Sequence, residues 1–138
     1  MKTDSHFVSL IIPTIGRESL VLTKAALKSQ TRSPDELIVV LDEYRRGPCW
    51  TRNKGFQKSK GDLIAFTDDD CVPPKDWLER MISAIDKYDA AMVSSNFQET
   101  DPFLQEIRLR RKFPTTSPNQ SGWICRHWRK YYLQTILP

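Results

Sequence analysis

Leu63-Ile64-Ala65-Phe66-Thr67-Asp68-Asp69-Asp70 is an apolar run that ends abruptly in three consecutive carboxylates. Its apolar part has the length and composition of a buried strand, and chain direction sets the acids at the strand's C-terminal end. Open α/β sheets hold their ligands at that end. Neighbouring carboxylates repel one another unless a cation or hydrogen-bond donors offset the charge. A divalent metal would do so, and a solvated acidic turn capping the next helix would leave the charge to water. On the triplet alone both readings stand.

Upstream, Phe7-Val8-Ser9-Leu10-Ile11-Ile12 reads as a first buried strand stopped by Pro13. A loop from Pro13 to Arg17 leads to a helix from Glu18 or Ser19 to about Gln30, with Leu20, Val21, Ala26 and Leu27 expected to face inward. Ser33-Pro34-Asp35 breaks the chain before a second strand, Glu36 to Leu41, which also ends in acids, Asp42 and Glu43. The strand–helix–strand unit runs parallel, which sets Asp42 on the same sheet edge as Asp68 to Asp70. Gly47-Pro48 opens a helix from Cys49 to Ser59 that turns in Trp50 and Phe56, with Gly61 as its C-terminal cap.

Downstream, Trp77, Leu78, Met81, Ile82 and Ile85 follow helical spacing within Lys75 to Lys87. Ala90 to Phe97 reads as a fourth strand, and Phe103 to Lys112 as a helix opened by Asp101-Pro102. Thr115 to Gly122 has loop composition, and Trp123 to Pro138 mixes aromatic and basic residues without clear periodicity. The expected division is therefore 1–114 as the α/β domain and 115–138 as a basic aromatic C-terminal segment. No G-x-G-x-x-G and no G-x-x-x-x-G-K-[ST] is present, so phosphate binding has to rest on metal and cationic side chains.

Composition bounds the function. A chain of 138 residues is one domain by size, and 39% hydrophobic with 28% charged residues is ordinary for a globular protein. No apolar run approaches the ~20 residues of a membrane span, and the polar N-terminus does not read as a secretory signal. Cytoplasmic residence is expected. Cys49, Cys71 and Cys125 lack zinc-site or disulfide spacing and read as reduced thiols. The net charge of +4 is uneven, with Arg108, Arg110, Arg111, Lys112, Arg126, Arg129 and Lys130 crowding the last third. That cluster is either a solvated face or a patch for phosphates, acidic headgroups or nucleic acid.

Several stretches together resemble a known family. Val8-Ser9-Leu10-Ile11-Ile12-Pro13-Thr14, Ser29-Gln30-Thr31, Glu36 to Val40 with its following Asp, Gly47-Pro48-x-x-x-Arg52-Asn53-x-Gly55, Gly61-Asp62-Leu63-Ile64-Ala65-Phe66-x-Asp68-x-Asp70 and Pro74-x-x-Trp77-Leu78 occur in the order seen in family 2 glycosyltransferases. The resemblance covers roughly residues 7 to 88 and implies a GT-A fold: an open, mostly parallel, Rossmann-like α/β sheet with flanking helices, incomplete at the C-terminus. It implies that Asp68 and Asp70 are a D-x-D motif holding Mg²⁺ or Mn²⁺ on a donor diphosphate. Hard oxygen ligands suit such a cation. By the same resemblance Asp68 and Asp69, the earlier part of the motif, contact the donor's ribose or sugar. Asp42 reads the nucleotide base, Pro13 and Thr14 pack under the nucleotide, and Arg52 lies beside its phosphates. A UDP-sugar is the expected donor and a saccharide or lipid-linked molecule the expected acceptor. Trp50 and Trp77 are expected in the core rather than as sugar platforms.

Departures from the family are also legible. Only Glu43-Tyr44-Arg45-Arg46 separates Asp42 from Gly47, where many relatives carry a further helix and strand. The pocket is then open on one side or completed by Tyr44 and the two arginines. No acid follows Glu106, and sugar transfer with inversion needs a base on the acceptor. His127 is the only late candidate, and a lone His in such a tail is usually incidental. Ser121-Gly122-Trp123-Ile124 resembles the approach to the family's acceptor region. The expectation is the donor-binding part of an inverting glycosyltransferase. The rival is a non-catalytic donor-binding subunit whose basic tail meets a partner chain or the inner membrane face, with no specific nucleic acid. A metal-dependent phosphohydrolase is the third reading.

Overall fold

The computed structural model describes residues 6–96 and 120–126. Eight elements follow in chain order: β1 (Val8–Thr14), α1 (Leu20–Lys28), β2 (Glu36–Leu41), α2 (Pro48–Lys58), β3 (Leu63–Thr67), α3 (Trp77–Tyr88), β4 (Met92–Asn96) and β5 (Gln120–Arg126). They build one five-stranded sheet in the order β2-β1-β3-β5-β4. β1 pairs in parallel with β2 and with β3, so the chain leaves all three strands at one edge.

Alternation along the strands sorts the core into two layers. Val8, Leu10 and Ile12 of β1 with Leu63 and Ala65 of β3 pack against Leu27 of α1 and Trp77, Leu78, Met81, Ile82 and Ile85 of α3. Ile11, Ile64 and Phe66 point to the opposite face, where Phe56 of α2 covers them. Successive side chains of a strand alternate between faces, so a strand buried on both reads as a continuous apolar run. All seven residues of β1 and all five of β3 are buried. The helical stripe read from Trp77 to Ile85 is buried throughout, and the Trp77 indole N–H donates to the Ser95 hydroxyl at 3.3 Å.

Several expectations change. β1 continues through Pro13 to Thr14 in register with Val40 and Leu41 of β2. The Thr14 carbonyl accepts from the Asp42 N–H on the β2 side, so Pro13, one residue back, directs its missing donor toward β3, where the ladder has already ended at Ile11. In α1, Val21 is outward, and Thr23 takes the buried position. Gly61 is not a helix cap: α2 ends at Lys58 with Ser59 extended. A Cβ on Gly61 would lie 2.6 Å from the Phe7 carbonyl and 2.7 Å from the Ser9 nitrogen. The close approach of β1 to the start of β3 is what requires glycine there.

Trp50 is half-buried rather than a core residue. The Arg46 guanidinium lies 5.0 Å and the Lys54 ammonium 5.6 Å from its ring centroid, so the indole serves cations on the outer side of α2. The largest change is β5. Residues 120–122 carry loop composition, yet β5 runs antiparallel between β3 and β4, with Ile124 fully buried. The sheet is thus parallel across β2, β1 and β3 and mixed beyond. β5 lies within 115–138, the segment set apart by composition. The helix expected over 103–112, the basic residues at 108–112, Arg129, Lys130 and His127 lie outside the described residues.

Candidate functional site

The shared C-terminal edge of β1, β2 and β3 opens into a cleft of about 290 Å³. Pro13, Thr14, Asp42, Arg52, Asp68, Asp69 and Asp70 all line it. All seven residues singled out from sequence therefore meet in one place, delivered by the ends of three parallel strands and the start of α2. Tyr44 and Arg46 do not line it. Tyr44 is exposed, and Arg46 stacks beside it, 5.8 Å from its ring centroid, on the way to Trp50. The short loop after β2 supplies no aromatic wall to that side of the cleft.

The three acids behave differently because the chain turns as it leaves β3. Asp69 points inward and is 4% exposed. Its Oδ2 accepts from the Thr14 hydroxyl at 2.6 Å, and its backbone carbonyl accepts from the Thr23 hydroxyl at 3.0 Å. The Thr14 hydroxyl oxygen in turn accepts from the Gly16 N–H at 2.9 Å. A buried carboxylate held by charge-assisted hydrogen bonds fixes backbone as well as side chain. Asp68 and Asp70, on either side, project into the cleft.

Two arginines answer those outward acids. Arg52 donates through Nη2 to Asp68 at 2.7 Å, and Arg17 through Nη1 to Asp70 at 2.9 Å, with the same nitrogen 3.6 Å from Asp69. The Arg52 Nε is buried with no acceptor among the described residues. Arg17 escaped the sequence reading. The available signal was a cation in the loop that follows β1 on the ligand-binding edge.

Asp42 is 4% exposed, and its two oxygens accept from the N–H groups of Arg46 at 2.9 Å and Gly47 at 2.7 Å. Burial pushes its carboxyl upward, but these backbone donors, the Thr51 hydroxyl and the Arg45 charge together hold it below the usual carboxylate range. The bonds also hold Gly47 at φ 101°, a conformation that favours glycine, immediately before Pro48 starts α2.

The donor set suits a hard divalent cation. Oxygens of Asp68 and Asp70 and the Cys71 sulfur lie within 4.8 Å of one another. Burial, then repulsion by Asp68 and Asp70, pushes the Cys71 thiol up to about 11. Beside that sulfur the site offers two carboxylates, the oxygen ligands that Mg²⁺ and Mn²⁺ prefer. No helix among the described residues is long and apolar enough to cross a membrane.

The family model for glycosyl transferase family 2 matches residues 21–137. The chain is 32% identical over 80 residues to the glycosyltransferase AglE of Haloferax volcanii, covering 58% of this chain and 26% of that protein. It is 26% identical over 102 residues to a glucosyl-dolichyl phosphate glucuronosyltransferase of the same organism, covering 54% of this chain and 33% of that one. Among solved structures, the mannosyltransferase PcManGT of Pyrobaculum calidifontis, in complex with GDP-Man and Mn²⁺, superposes with a TM-score of 0.64 at 17% identity. That match covers 88% of this chain and 44% of the other. S. aureus TarS gives 0.60 at 17% identity, over 86% of this chain and 28% of its own. The chain thus spans a quarter to a third of the length of the curated relatives.

Proposed function

The chain belongs to glycosyl transferase family 2, and on that premise we propose that its cleft binds a nucleotide-diphospho-sugar through a divalent cation held by Asp68 and Asp70. The observation that carries the proposal is the pairing of those two carboxylates just past the end of β3, with Arg17 and Arg52 on their flanks. The solved neighbour PcManGT, complexed with GDP-Man and Mn²⁺, supports the ligand class.

Each residue then has a defined task. Asp68 and Asp70 supply hard oxygen ligands, and Asp69 sets their direction from behind. Arg17 and Arg52 present cationic donors to phosphate oxygens, which a guanidinium can contact two at a time. Pro13 and Thr14 floor the nucleoside side, and Asp42 faces the base. When bound, the cation would offset charge developing on the departing diphosphate. In a complete enzyme the sugar would pass with inversion to a saccharide or lipid-linked acceptor. That step needs a base to take the acceptor proton, and none of the cleft acids is offered for it: Asp69 is buried on Thr14, Asp42 on backbone, and Asp68 and Asp70 on cations. The residues of this cleft account for donor binding.

Titration calorimetry with UDP-sugars and GDP-sugars, with and without Mn²⁺ or Mg²⁺, tests the proposal. Cation-dependent binding that disappears in the double variant Asp68→Asn plus Asp70→Asn is the expected result. Binding that survives both substitutions would overturn the site assignment. Sugar transfer that appears only after a second polypeptide is added would favour the donor-binding subunit reading.

A further inference from the structure

The two cleft arginines sit where an incoming cation has to go. Arg17 comes from the loop after β1 and Arg52 from α2, so separate elements deliver them, yet each contacts one outer member of the same acid triplet. Arg17 reaches Asp70 at 2.9 Å and Arg52 reaches Asp68 at 2.7 Å. These are the two carboxylates that approach each other within 4.8 Å together with Cys71. A divalent cation drawn to that pair competes with both guanidinium groups for the same oxygens.

Two details say that the arginines can leave. Arg17 has half of its side chain in solvent, so little packing holds it against Asp70. Arg52 is more enclosed, but its Nε is buried without an acceptor among the described residues, a costly state for a charged donor. An anion arriving beside it would supply what the described residues do not.

Resting on the reading of Asp68 and Asp70 as cation ligands, we propose that Arg17 and Arg52 are exchangeable counter-ions. Without donor they neutralise the cation-binding carboxylates; when the cation enters they transfer to the diphosphate. A cation alone must displace two charge-assisted contacts. A diphosphate alone meets carboxylates whose counter-ions are already engaged. Each ligand removes the obstacle to the other, so the two bind as a mutually dependent pair, and linkage makes the dependence equal in both directions. The arginines thereby keep the site from filling with cation when no donor is present.

The test uses calorimetry on the full chain with three titrations: Mn²⁺ alone, UDP or GDP alone, and Mn²⁺ in the presence of saturating nucleoside diphosphate. In the unsubstituted chain the diphosphate is expected to tighten Mn²⁺ binding by about tenfold or more, in the usual range of coupling between sites. In Arg17→Gln, Mn²⁺ alone should bind about three- to fivefold more tightly, the size of a half-exposed ion pair released, while the diphosphate's effect on Mn²⁺ shrinks. Arg17→Lys keeps the charge without the planar fork and should fall between, which preserves the test where the glutamine variant does not fold. Unchanged Mn²⁺ affinity and unchanged coupling in both Arg17 variants, with binding abolished in Asp70→Asn, would overturn this inference and leave the donor-site reading intact. Mn²⁺ binding that ignores Asp70→Asn would overturn the donor-site reading itself.

Discussion

Replacing Thr14 by valine probes how the acid triplet is held in place. Valine matches threonine in shape, so the change removes one hydroxyl and leaves no cavity. Two contacts go with it: the 2.6 Å bond to the Asp69 carboxylate and the acceptor 2.9 Å from the Gly16 N–H. A hydrogen bond to a charged group contributes about 1.5–3 kcal/mol and a neutral one about 1 kcal/mol. The Asp69 carboxylate is 4% exposed, and water recovers little of that loss. Arg17, 3.6 Å away, offsets a part. The expected destabilisation is about 3 kcal/mol, a large share of the ~5–15 kcal/mol that holds a domain folded. Urea unfolding monitored by tryptophan fluorescence measures it, and the slope with denaturant should not change. Combining Thr14→Val with Asp69→Asn closes a double-mutant cycle whose coupling should exceed about 1 kcal/mol. A loss below about 1 kcal/mol for the single variant, or coupling near zero, would refute the idea that Asp69 is a buried anchor for its two neighbours.

Gly61→Ala should cost at least about 2–3 kcal/mol, because the new methyl meets backbone atoms of Phe7 and Ser9 that cannot swing aside; a thermal melt within 1 °C of the parent would contradict the close approach. Ile124→Ala should cost about 2–4 kcal/mol by urea unfolding, the usual penalty for emptying a fully buried aliphatic site, and a negligible effect would mean that β5 is not inserted in the sheet. His6 bridges Asp62 at 2.6 Å and Asp86 at 2.9 Å. The hydrogen bond that the ring donates to Asp62 raises its pKa, burial opposes that, and the hydrogen bond to Asp86 and the charges of both acids add to the rise. A raised folded pKa gives stability that is fully present below the unfolded value near 6.5 and is lost as pH climbs through the folded value. The melting-temperature gap between the parent and His6→Gln should therefore be widest, about 3 °C, between pH 5 and 6 and close at alkaline pH; a gap that widens with pH would show the sign to be wrong.

What could be read from the sequence was whatever local chemistry determines. The apolar runs of β1 and β3 are continuous because both faces are covered, and the Trp77 to Ile85 stripe is helical because one face is. The acids at the ends of β2 and β3 had to share an edge once those strands ran parallel to β1. Features set by distant contacts were illegible. Gly61 looked like a helix cap, but its constraint comes from the backbone of β1, more than fifty residues away in sequence. Thr23 carries no apolar signal, and it is buried because it donates to the Asp69 carbonyl. β5 looked like loop because the antiparallel partners that bury Ile124 lie in β3 and β4. Arg17 was missed since a single cation in a loop has no periodicity to announce it.

Asp42 shows where proximity stops short of specificity. Its carboxylate is ionised and lines the cleft, as a reader of the donor's base requires. Both of its oxygens already accept a backbone N–H, and the Thr51 hydroxyl also hydrogen-bonds the carboxylate, so the further lone pair is left on one oxygen, not on both. Uracil needs one such acceptor for its imide N–H; guanine, with two adjacent donors on its pairing edge, needs both oxygens together. Adenine and cytosine place an acceptor ring nitrogen beside their donor, and that nitrogen would face an ionised carboxylate. On the proposed reading Asp42 therefore disfavours adenine and cytosine, and its remaining acceptor suits uracil's single imide N–H better than guanine's two adjacent donors. The width of the cleft bears on the same choice. Here the loop from Glu43 to Arg46 is short and its Tyr44 turns outward, so no side chain of that loop narrows the base side to a single pyrimidine ring. On the proposed reading the loop from Glu43 to Arg46 therefore adds nothing to the expected UDP preference.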